Sequence, residues 1–77
     1  MEGAYEFIEW LKKKKYASQT IRWHKRNIDI LLSHFGRILT PKEIDKVDNL
    51  PYSKYTIRHI RITINRYEDF LKEKYKN

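Results

Sequence analysis

Cysteine is absent from the sequence, which excludes disulfides and thiolate metal sites and leaves the fold to be held by its core alone. His24, His34 and His59 have no companions at metal-ligand spacing, so neither a metal nor a cofactor is expected. No apolar run approaches the roughly 18 residues needed to cross a bilayer, and the opening MEGAYEF lacks the basic-then-apolar order of a signal peptide. The expectation is an intracellular, cytoplasmic protein without a membrane partner. Only two glycines and two prolines interrupt the chain, and no segment asks to be a strand. Paired carboxylates on one polar face, a Ser–His or Cys–His set and a glycine-rich phosphate loop are all missing, so an enzyme is not expected. With 77 residues there is room for one small domain.

Acid is also missing, from two long stretches. Residues 1–9 carry three acids and no base, residues 10–26 seven bases and no acid, residues 27–49 three bases and four acids, and residues 50–67 four bases and no acid. The net charge of +7 therefore sits in two blocks, the footprint of a chain that meets a polyanion.

Apolar spacing divides the chain into four helices, near 3–15, 18–35, 41–47 and 53–74. Ala4, Phe7, Ile8 and Leu11 share one face of the first. Its acids Glu2, Glu6 and Glu9 come early and Lys12–Lys15 late, an order that suits the helix dipole. Lys13, Lys14 and Lys15 are thus either a solvated helix end or additional DNA contacts. Trp10 is expected to pack against a neighbouring helix. Ser18 is placed to cap the second helix and Gly36 to end it in a left-handed conformation. Ile21, His24, Ile28, Leu31, Leu32 and Phe35 form its core stripe, with His24 expected to be partly buried and hydrogen bonded. The opposite face carries Gln19, Arg22, Trp23, Arg26 and Ile30. Trp23 and Ile30 are apolar there, and cover the first helix, touch DNA or meet another domain.

Thr40-Pro41-Lys42-Glu43 is a capping box with proline at the first helical position, opening a short third helix that contributes Ile44 and Val47 to the core. Ser53 then caps the longest helix, SKYTIRHIRITINRYEDFL. Ile57, Ile60, Ile64, Tyr67 and Leu71 form its apolar stripe, while Lys54, Arg58, Arg61 and Asn65 form a polar ladder beside it. Arginine and asparagine have the donor geometry to read guanine and adenine edges, and two helix N-termini flanked by bases attract phosphates.

The order FIEWL, SQTIRWHKRNIDILLSHFG, LTPKEI and YSKYTIRHIRITINRYEDFL resembles the N-terminal core-binding (SAM-like) domain of tyrosine recombinases, the phage-integrase and Xer-type family. Ser18, Thr20 and Ile21, then Thr40, Pro41 and Ile44, then Ser53, Thr56 and Ile57 match its recurring helix starts, from about Tyr5 to Leu71. The resemblance implies a compact all-α, four-helix orthogonal bundle spanning 1–77, a monomer off DNA. It would bind double-stranded DNA as one jaw of a recombinase clamp in the nucleoid, with the chemistry in a separate C-terminal catalytic domain. The contacts carried over are Gln19, Arg22 and Arg26 on the second helix and Lys54, Arg58, Arg61 and Asn65 on the fourth. Lys25 is expected to join them as a DNA contact, with Thr56 as an additional one. Two other readings stay open, a small helical transcription regulator and a protein-interaction bundle using Trp23, Ile30, Tyr55 and Ile62.

Overall fold

Residues 2–76 are described by a computed structural model; the side chain of Glu2, expected near the positive end of the first helix, lies outside that description. The described chain is all helical: α1 (Glu2–Lys13), α2 (Ser18–Phe35), a 3-10 helix (Pro41–Asn49) and α3 (Lys54–Lys74). Its Cα radius of gyration is 12.0 Å, close to the roughly 11.5 Å of a packed domain of this length.

The core forms in two lobes because α2 and α3 are each long enough to serve two partners. In the first, Phe7, Ile8 and Leu11 of α1 pack on Ile28 and Phe70, with Trp10, Tyr16, Tyr67 and Leu71 around them. Trp10 stacks at 6.1 Å from Phe7 and lies 5.7 Å from Phe70, so it packs between helices as its position off the α1 stripe suggested. In the second, Leu31, Leu39, Val47, Ile60 and Ile64 are buried, edged by Ile30, Ile44, Leu50 and Ile57. Ile38 touches both lobes and joins them.

Two boundaries, one cap and one helix type depart from expectation. The first helix stops at Lys13 rather than Lys15. Lys15 takes a left-handed conformation (φ 63°), its N–H bonds Lys12 O at 3.0 Å, and Tyr16 N–H bonds Leu11 O at 3.2 Å. This is a Schellman stop, and it drops the Tyr16 ring onto the core that contains Leu11. The turn then consumes Tyr16, so Ala17, extended at ψ 147°, is the N-cap of α2 and Ser18 is its first helical residue. The fourth helix begins at Lys54 behind Ser53, the expected capping residue, whose Oγ accepts from Thr56 N–H at 3.2 Å. The third helix is 3-10 and runs on to Asn49. At three residues per turn, side chains three apart eclipse. Ile44, Val47 and Leu50 thus share the core edge, and Asp45 and Asp48 share another. The expected capping arm is present, with Glu43 Oε1 accepting from both N–H and hydroxyl of Thr40 at 3.1 Å. Arg37 grips the same carboxylate and holds it well below the usual carboxylate range. Gly36 ends α2 at φ 72°, donating to Leu32 O at 2.9 Å.

A lysine held in the left-handed region is strained by its Cβ, and glycine is not. Lys15→Gly should stabilise the fold by about 0.5–1 kcal/mol, raising the melting temperature by roughly 2–8 °C in a thermal scan followed by circular dichroism.

Candidate nucleic-acid interface

The N-terminal halves of α2 and α3 come together at a polar contact inside the core. Thr63 is fully buried, and its Oγ1 lies 2.8 Å from His24 Nδ1 and 2.9 Å from Asn27 Nδ2, which donates to it. Thr63 Oγ1 also lies 3.2 Å from His59 O, one turn back on its own helix. His24 is 5% exposed and packs edge-on against Phe7 at 5.8 Å. Burial pushes its pKa below the ordinary 6.5, and the positive charge of Arg66 and the nearby His59 push in the same direction. The expectation of a hydrogen-bonded core histidine holds. Asn27 and Thr63, by contrast, gave no signal beyond being polar residues interrupting apolar stripes.

Above this contact the two helices present an aromatic cluster. Trp23 meets His59 edge-to-face at 4.7 Å and Tyr55 at 6.4 Å, and the Tyr55 and His59 rings are 4.3 Å apart. His59 Nδ1–H donates to Tyr55 O at 2.8 Å, which fixes the ring's orientation. Trp23, Arg26, Asn27, Tyr55, Thr56 and His59 line a cleft of about 80 Å³. Trp23 therefore faces α3. Ile30, its companion on the outer face in the sequence, is partly buried against the second core lobe.

Around the cleft the bases differ sharply in what holds them. Neither α2 nor α3 has an acid in its first turn, and among the described residues Arg22, Arg26, Lys54 and Arg58 form no ion pair. Gln19 is exposed on the first turn of α2, and Thr56 lines the cleft. Lys54, Arg58 and Arg61 line a second, broader groove of about 430 Å³ with Tyr52, Ile57 and Asp48. Here the polar ladder is not uniform. Arg61 Nη2 is held at 2.6 Å from Asp48 and 3.4 Å from Asp45, so the 3-10 helix supplies the acids that α3 itself lacks. Arg66 is also spoken for, paired with Asp69 at 2.9 Å and lying over the Tyr16 ring. Asn65 is exposed, two turns beyond Arg58.

Other predicted contacts lie elsewhere. Lys25 lines the α1–α2 groove with Tyr5, Ile8, Glu9 and Asp29. Lys13 lines the α1–α3 groove, which shares no residue with the Trp23 cleft. Lys14 is paired with Glu73 at 3.1 Å and lies over the Trp10 ring, and Lys15 sits in the exposed Schellman turn.

No known protein family, curated protein or solved structure matches the chain. Among the described residues no helix is long and apolar enough to cross a membrane, and no group of three or more His, Cys, Asp or Glu side chains gathers as metal ligands.

Because the folded chain disfavours protonated His24, the unfolded state binds the proton more readily. Stability should be full above pH 6.5 and fall as pH drops below it, before the carboxylates held low by bases, Glu43 and Glu73, begin to lose theirs below about 4.5. Urea unfolding in half-unit pH steps checks this, with His24→Gln flattening the upper limb. Thr63→Val removes the shared hydroxyl and strands two buried partners, which should lower the unfolding free energy by about 1–3 kcal/mol at neutral pH in the same assay.

Proposed function

We propose that the chain binds duplex DNA through the N-terminal halves of α2 and α3, as the DNA-clamping domain of a tyrosine-recombinase-like protein whose chemistry resides in a separate catalytic domain. The observation that carries the reading is the uncompensated charge of Arg22, Arg26, Lys54 and Arg58 on two neighbouring helix starts. Of the other thirteen bases, seven (Lys12, Lys14, Arg37, Lys46, Arg61, Arg66 and Lys74) have carboxylate partners within the fold. Guanidinium and ammonium groups left without an internal acid are available to phosphate, and the dipoles of two helix starts without an acid in their first turn add to the same field.

Within this reading Arg22, Arg26, Lys54 and Arg58 hold phosphates, with Gln19 and Asn65 at base edges and Thr56 within the cleft between them. Arg61 contributes less than its position in the ladder suggested, because a phosphate must compete with Asp48 and Asp45 for it. Lys25 lies off this face and acts only through the long-range field. Such a protein works where duplex DNA is, on the nucleoid in the cytoplasm.

Affinity for random duplex DNA should fall linearly in log–log form with salt, and Arg22→Ala/Arg58→Ala should make the slope shallower by about 1.8, or 0.9 per phosphate contact. Lys25→Ala should leave the slope nearly unchanged. Fluorescence anisotropy between about 50 and 200 mM salt measures both. An absence of binding at the lowest salt, or equal slopes for the wild type and the double variant, would sink the reading.

A further inference from the structure

The cleft between Trp23, Tyr55 and His59 is an aromatic feature beside Arg26, and phosphate binding does not need it. Its shape limits what it can accept. Trp23 and His59 stand at 87° with centroids 4.7 Å apart, so the rings already touch and leave no parallel slot in which a base could stack. The volume of about 80 Å³, on a scale where roughly 10–15 Å³ suffices for one water, admits a methyl group and the ring edge that bears it. The floor is set by Asn27, only 4% exposed and fixed by its bond to Thr63, so the cleft has a defined depth. Arg26 stands at its wall, with Arg22 and Lys54 adjacent in sequence to its aromatic residues Trp23 and Tyr55.

We propose that this cleft reads the 5-methyl group of thymine in the major groove, giving the protein a preference for thymine at one position of its site. The inference rests on the DNA-binding reading above and assigns the base contact within it. The thymine methyl is the one apolar group that unmodified DNA projects into the major groove, and it is read by apolar contact. A shallow aromatic recess between helices whose bases hold the flanking phosphates would bring that contact to a fixed register. Trp23 and Tyr55 supply the walls; both are exposed enough, at 38% and 62%, to be reached without moving the core.

The test uses an alternating adenine–thymine duplex and the same duplex with deoxyuridine in place of thymidine, which removes the methyl groups and leaves every phosphate in place. Wild-type affinity should fall by about fourfold, the worth of one methyl taken out of water. Trp23→Ala and Tyr55→Ala, each checked for an unchanged circular dichroism spectrum, should bind the two duplexes equally. Equal wild-type affinity for thymine and uracil duplexes overturns the methyl assignment while leaving the DNA-binding reading intact. So does a fourfold difference that survives in both variants, since the methyl would then be read elsewhere. Failure of the wild type to bind either duplex overturns both readings together.

Discussion

The hydroxyl of Thr63 is the point on which the arrangement of α2 against α3 depends. It is buried where the two long helices meet and takes both His24 and Asn27 from the facing helix as partners. A buried polar group costs free energy unless paired, and three such groups that satisfy one another can do so in only one register. A slide of either helix by one turn would bury all three without partners. The apolar residues on either side, Ile28, Leu31, Ile60 and Ile64, supply most of the cohesion but tolerate many registers. The polar contact therefore specifies what the hydrophobic contacts stabilise. Because Trp23 and Arg26 lie within one turn of His24 and Asn27, and Tyr55 and His59 lie one to two turns before Thr63, fixing this register also fixes the cleft above it.

A second organising feature is the division of positive charge between structure and surface. The 3-10 helix brings Asp45 and Asp48 to Arg61, because eclipsed positions three apart place two carboxylates on one line. Arg37 closes on Glu43 at the start of the same segment. These exposed pairs contribute little stability individually, yet they determine which bases keep an unbalanced field. Lys54 and Arg58 line the same groove as Arg61 and Asp48 but form no ion pair with those acids. Arg22, Arg26, Lys54 and Arg58 at the two helix starts are thus among the bases whose charge stays unpaired within the described residues.

Much of the architecture was legible in the residues. The alternation of three and four between apolar positions marks α1, α2 and α3, Gly36 marks the end of α2, and Thr40-Pro41-Lys42-Glu43 marks the start of the third helix, since each is a local steric or hydrogen-bonding preference. The candidate site was legible in part: Arg22 and Arg26 stand on α2 and Lys54 and Arg58 on α3, all four exposed and without a carboxylate partner among the described residues. The Schellman turn at Lys15 was not legible, because a lysine is an unfavourable left-handed residue and is held there by burial of Tyr16. Nor were the neutralisation of Arg61 by residues 13 and 16 positions away, or the displacement of Lys25 to the α1 side.

What the sequence determined by itself is everything that depends on neighbours within a turn or two: helical periodicity, capping, the absence of metal thiolates and the confinement of positive charge to two blocks. Tertiary structure alone decided which charges survive and which polar residues are buried. Asp48 with Arg61, Asn27 with Thr63 and Trp23 with His59 are pairs made by helix packing, and their partners are 13, 36 and 36 residues apart. Periodicity fixes the face on which a side chain stands, but the helix that meets that face is chosen by the cooperative burial of the whole core.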